Sequence, residues 1–105
     1  MTYAAAEVLD ALGDPTRRAV LELLRDGERS VGDLAGDLPV SRPAVSQHLR
    51  VLNGAGLVTD RTQGTRHLYR VEPGGLAVLR TYLETYWSDV LVAFKDAAER
   101  EGDRP

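Results

Sequence analysis

Residues 41–71 pack helix and strand punctuation so closely that few folds can accommodate them. Ser41 stands where it can cap a helix, and Pro43 falls in that helix's first turn, where a missing amide hydrogen costs little. Val45, Leu49 and Leu52 then follow the three- and four-residue spacing of one buried helical stripe, which Gly54 and Gly56 end. Leu57, Val58 and Thr59 begin a strand, and Gln63-Gly64 offers a hairpin turn. The return strand has Leu68 and Arg70 alternating against His67, Tyr69 and Val71. The same segment holds Arg42, Arg50, Arg61, Arg66 and Arg70 against one acid, Asp60. Its flanks are acidic: residues 1–40 carry four bases and eight acids, and residues 72–105 four and seven. A positive segment on a chain of net charge −3 suggests a surface for a polyanion, because phosphate neutralisation with counterion release drives such binding.

At 105 residues the chain fits one domain, large enough for a core and small enough to gain from a partner subunit. No apolar run approaches the roughly 20 residues that span a bilayer, and the N-terminus lacks a signal-peptide pattern. The expectation is a cytoplasmic protein with no membrane partner. There is no cysteine, so a disulfide framework, a thiolate metal site and a thiol switch are excluded.

The rest of the chain reads as helices. Residues 3–12 form a short apolar helix ended by Gly13 and Asp14, after which Asp14 caps and Pro15 starts the next. Ala19, Val20, Leu23 and Leu24 are that helix's buried stripe, and Gly27 stops it. Ser30 caps a third helix, with Asp33 as the capping-box carboxylate. Val31, Leu34, Ala35 and Leu38 form its apolar face, and Pro39 closes it. Pro73-Gly74-Gly75 breaks the second strand before a last helix. There Leu76, Leu79, Leu83, Tyr86, Trp87, Val90, Leu91 and Phe94 keep helical spacing over five turns. Residues 1–100 are read as a single domain, and residues 101–105 as a disordered tail. The expected fold is mainly α with a β-hairpin wing: a winged helix-turn-helix of about five helices, α-α-α-α-β-β-α.

Pro39-Val40-Ser41 has the length of a helix-turn-helix connection, and in such pairs the second helix enters the major groove of double-stranded DNA. Arg42, Ala44, Ser46, Gln47 and Arg50 lie off the packing stripe. Gln47 can pair with adenine, Arg42 or Arg50 with guanine, and Ser46 with base or phosphate. His48 can donate to phosphate or serve as a structural hydrogen-bonding residue. Arg61 and Arg66 flank the turn at Gln63-Gly64-Thr65, whose tip can lie on the DNA backbone or in the minor groove. The plainer reading is a solvated helix and a hairpin charged for solubility. It weighs less because neighbouring acids, spread through the rest of the chain, are missing here. Ser46 and His48 are too close along a helix to face each other, and no carboxylate pair, phosphate loop or metal cluster accompanies them, which argues against an enzyme.

Ala11-Leu12-Gly13-Asp14-Pro15-Thr16-Arg17-Arg18 followed by Val20-Leu21-Glu22-Leu23-Leu24 resembles the opening of the ArsR family of winged-helix repressors. Ser41-Arg42-Pro43-Ala44-Val45-Ser46-Gln47-His48-Leu49, with Leu52, Gly56-Leu57-Val58 and the Gly64 wing, resembles that family's DNA-reading core. The likeness covers roughly residues 5–95. It implies a homodimer on an inverted-repeat operator, joined through the first and last helices. The interface is then expected from Val8, Leu76, Leu79, Leu83, Tyr86, Trp87, Val90, Leu91 and Phe94. It also implies DNA contacts by Arg17, Arg42, Ser46, Gln47, His48, Arg61 and Arg66. The family's metal sites find no match: Ser30 and Gly32 stand at the thiolate positions, and the last helix offers Glu84, Asp89 and Asp96 but no histidine. No metal and no cofactor are expected, and the effector is left open. The aromatic last helix resembles the branch of autorepressors that do not sense metals, with Tyr82 joining Tyr86, Trp87 and Phe94 in the dimer core. The alternatives are a winged-helix protein-interaction module without a DNA role, and a repressor sensing a small molecule or metal elsewhere.

Overall fold

The computed structural model describes residues 3–102. Among them the elements run α1 (Tyr3–Ala11), α2 (Pro15–Leu23), β1 (Arg29–Ser30), α3 (Val31–Gly36), α4 (Arg42–Gly54), β2 (Val58–Gln63), β3 (Arg66–Val71) and α5 (Pro73–Gly102). Helices α2 and α3 each start at the cap the sequence announces. Asp14 is extended, and its carboxylate accepts from the amides of Thr16 at 2.8 Å and Arg17 at 3.1 Å, with Pro15 in the first turn. Ser30 and Asp33 form a reciprocal capping box: Ser30 Oγ accepts from the Asp33 amide at 3.1 Å, and Asp33 Oδ2 accepts from the Ser30 amide. Ser30→Ala is therefore expected to cost about 0.5–2 kcal/mol. Urea denaturation would show this as a lowered midpoint at constant slope, and an unchanged midpoint would deny the cap its role.

The recognition segment ends on a closed motif. Ala55 is the C-cap of α4, Gly56 follows at φ +78°, and the amides of Leu57 and Gly56 donate to Leu52 O at 2.9 Å and Asn53 O at 3.0 Å. These are the two hydrogen bonds of a Schellman stop, which needs the left-handed backbone that glycine adopts freely. Gly54 is the last helical residue. The chain then enters an antiparallel sheet of order β1-β3-β2. Strand β1, two residues pairing Arg29 with Tyr69 and Ser30 with Leu68, was not expected; it is too short for any periodicity to announce.

Val8, Val20, Leu24, Leu34, Val45, Leu49, Leu52, Leu57 and Val58 are buried together, so α1, α2, α3, α4 and the root of the hairpin share one core. Pro73-Gly74-Gly75 does not separate the hairpin from α5; it is the first turn of α5. The Glu72 carboxylate accepts from the Gly74 amide at 3.1 Å, and Pro73 takes a first-turn position. The helix runs through Glu101 and Gly102, two residues expected in a disordered tail, while residues 103–105 lie outside the described range. Thirty residues of α-helix are about 45 Å long, and α5 accounts for much of the molecule's 73 Å long axis.

Candidate nucleic-acid interface

Helix α4 divides its side chains cleanly. Ser41 Oγ caps it by accepting from the Ala44 amide at 3.3 Å, and Val45, Leu49 and Leu52 are buried. Arg42, Gln47 and Arg50 are exposed; Ala44 and Ser46 are half-buried beside them. Arg50 Nη1 donates to Gln47 Oε1 at 2.8 Å, which orients the amide on the outer face. Arg42 lies over α3, its guanidinium 3.5 Å from where a Gly32 Cβ would stand. His48 is half-buried on another side, toward the start of α2. There the Arg17 and Thr16 amides hold the Asp14 carboxyl below its ordinary range, and the charge of His48 adds to that lowering.

Arg17 bonds backbone carbonyls. Its Nε donates to Ala11 O at 2.6 Å and its Nη2 to Asp10 O at 3.4 Å, while Arg18 Nη1 donates to Leu12 O at 2.7 Å. Helix ends leave carbonyls unpaired and negative, so the two arginines close α1 onto α2. Arg17, expected to touch DNA, therefore also holds the end of α1 in place.

The hairpin turns at Gly64-Thr65, between the paired Gln63 and Arg66. Gly64 has φ +62° and no other residue type among the described residues has positive φ, which identifies a type II′ turn. The pairs Thr59–Arg70, Arg61–Leu68 and Gln63–Arg66 set Arg61, Arg66 and Arg70 on one face. Asp60, Thr62, His67 and Tyr69 share the other face. Asp60 there accepts from Asn53 Nδ2 of α4 at 3.3 Å and lies 2.9 Å from His67 Nε2, so the last turn of α4 is tied to the wing. Burial, followed by the charge of Asp60, raises the Tyr69 hydroxyl above its usual range.

The wing arginines are paired by acids that lie far off in sequence. Arg61 grips Glu28 through two hydrogen bonds, with Nε 2.9 Å from Oε2 and Nη2 on Oε1. Arg66 Nη2 donates to Asp33 Oδ2 at 2.9 Å, and Arg70 Nε to Thr59 Oγ1 at 3.3 Å. The absence of local acids in the sequence is therefore made up in space. Sequence reasoning missed Glu28, Asp33 and Asn53 as parts of this region; Asp33 carried a signal only as a cap, and Asp60 was noted only as the segment's one acid.

The helix face expected to pair with a second copy is open along α5. Leu76, Leu83, Tyr86, Trp87, Val90, Leu91 and Phe94 are exposed, Trp87 at 62% and Phe94 at 73%. Leu79 packs partly against the core, and Val8 at 1% exposure is sealed inside it, so Val8 is not on this face. An apolar groove of about 1050 Å³ runs beside it, lined by Ala4, Gly74, Ala77, Tyr82, Tyr86 and Asp89. Among the described residues no group of three or more His, Cys, Asp or Glu side chains converges as metal ligands would.

The family model for bacterial regulatory proteins of the arsR family matches residues 14–60. The chain is 55% identical over 93 residues to the HTH-type transcriptional regulator Rv2034 of Mycobacterium tuberculosis, a match covering 89% of this chain and 87% of that protein. A solved structure of a possible transcriptional regulator for arsenical resistance is similar at TM-score 0.72 and 48% identity, covering 83% and 94% of the two chains. A homodimeric winged helix-turn-helix DNA-binding domain from Mycobacterium bovis, a possible ArsR-family regulator, is similar at TM-score 0.65 and 32% identity, covering 92% and 83%.

Proposed function

The chain belongs to the arsR family of bacterial regulatory proteins, and on that premise we propose that it is a homodimeric, sequence-specific repressor acting on an inverted-repeat operator. The family is one of transcriptional regulators, not enzymes. The observation that carries the reading is the division of α4 into a buried stripe and an outer face of Arg42, Gln47 and Arg50. An exposed polar face on a rigid second helix is what direct reading of base edges requires. Ser46 and Ala44 sit beside that face, Ser41 starts it, and Gly64 and Thr65 form the wing tip. Arg61 and Arg66 supply backbone contacts.

Dimerisation follows from the apolar face of α5, which one small domain leaves uncovered, and from the homodimeric relative. Residues 1–100 then act as one unit for DNA binding and dimerisation. The protein works without the family's known metal sites, since it has no cysteine and places Ser30 and Gly32 at the thiolate positions. A cytoplasmic location goes with a DNA partner, and among the described residues no helix is long and apolar enough to cross a membrane.

Gln47→Ala tests the assignment. It is expected to leave the dimer mass unchanged while one operator position loses about 1–3 kcal/mol of base discrimination. Competition binding with single-base operator variants measures this. Discrimination equal to wild type at every position would remove Gln47 from the reading face.

A further inference from the structure

The arginines of this region fall into two groups. Arg42 and Arg50, on the reading helix, have no carboxylate partner among the described residues; Arg50 bonds the neutral Gln47 instead. Arg61 and Arg66, on the wing, each meet a carboxylate 33 residues earlier in the chain. The Arg61 hydrogen bond is the largest cause of the lowered Glu28 carboxyl, and the charge of Arg70 adds to it. Asp33 is lowered first by its Ser30 hydrogen bonds and then by the charges of Arg66 and Arg29.

We propose that Glu28 and Asp33 are affinity-setting residues at the DNA interface, which neutralise the wing and so hold down affinity for DNA of any sequence. This rests on the DNA-binding reading above. Exposed ion pairs add little to stability, so folding gives weak reason to place two acids against a phosphate-facing hairpin. Their effect on DNA binding is larger. Binding to unrelated DNA is almost wholly phosphate neutralisation, whereas operator binding adds base contacts. Cancelling charge on the wing therefore removes a term common to all sequences, and leaving Arg42 and Arg50 uncancelled preserves the sequence-reading one. Geometry allows the wing to keep its place on DNA: Arg61 gives Nε and one Nη2 hydrogen to Glu28, and a guanidinium has five. The wing can still dock, but with little net charge.

The test is Glu28→Gln in the full chain, with Glu28→Gln/Asp33→Asn beside it, titrated against a random-sequence duplex over a salt series. Glu28→Gln leaves the α3 capping box intact, so it carries the test if the double variant loses stability. Releasing one arginine should raise random-duplex affinity about eightfold near 0.1 M salt and steepen the log–log salt slope by about 0.9. Arg61→Gln should then cost more affinity in the Glu28→Gln background than in wild type. Operator affinity should rise by about the same factor, leaving the ratio between the two unchanged. Unchanged random-duplex affinity and slope, with circular dichroism showing an intact fold, overturn the inference while leaving the DNA reading in place. Wild-type protein that binds neither duplex overturns both.

Discussion

Trp87→Ala is expected to yield a folded monomer that has lost at least two orders of magnitude in operator affinity. In a single chain Trp87 is 62% exposed, on the same side of α5 as Leu83, Leu91 and Phe94, so its removal opens no cavity inside the protomer. Alanine is also the best helix former, so α5 itself is spared. In the proposed dimer the loss falls on the surface that covers Trp87, where truncating a buried tryptophan costs on the order of 3–5 kcal/mol. At about 1.4 kcal/mol per tenfold, that is two to three and a half orders in the dimer constant. A protein that needs two copies to span two half-sites loses operator binding with it. Sedimentation at micromolar concentration, circular dichroism and duplex titration should report a native-like monomer with weakened binding. A Trp87→Ala protein that stays dimeric at full affinity would place the interface elsewhere.

Gly75→Ala is expected to be the most destabilising glycine-to-alanine change among the described residues. A Cβ built there would collide with the Gly56 carbonyl oxygen and lie 2.7 Å from Gly56 C and 3.1 Å from Leu57 Cα. All three are backbone atoms, and Gly56 is fixed in the left-handed stop of α4, so no side chain can swing aside. Helix α5 would have to lift away from this corner, straining the Glu72 amide bond to Leu57 O at 2.9 Å. Overpacking costs about 1–3 kcal/mol where side chains yield, and the expected loss here is about 3 kcal/mol or more. That is a large part of the roughly 5–15 kcal/mol a domain possesses. Gly74→Ala is the control, because its Cβ would meet only the flexible Glu72 carboxylate at 3.3 Å. Denaturant midpoints should separate the two variants widely, and equal midpoints would contradict the close approach.

What could be read in advance was local chemistry. Asp14, Ser30 and Ser41 each cap the helix that follows within three residues, and Gly64 turns the hairpin within two. The signal and its structural consequence share one short stretch of chain. Where consequence and cause are distant, the sequence was silent or misleading. Gly75 reads as a breaker, but it serves a contact with Gly56, in the stop that follows α4. Pro73 marks either the end of a strand or the start of a helix, and tertiary packing selected the helix. The charge segregation of residues 41–71 is real along the chain but partly cancelled in space, because folding brings Glu28 and Asp33 to Arg61 and Arg66. Arg17 matched a family position for DNA contact, and its bonds to the unpaired carbonyls at the end of α1 were not foreseen. In the same way Val8 lies on the helix named for dimerisation, but its side chain is sealed in the core.

The central claim is that two copies of this chain read two matching half-sites with α4. Selection of random duplexes by the purified protein tests it most directly. The expected outcome is an enriched inverted repeat, with half-site centres one helical turn or a multiple of it apart, about 10–10.5 base pairs per turn. Recovery of no preferred sequence, or of a single unrepeated site bound by one chain, would contradict it.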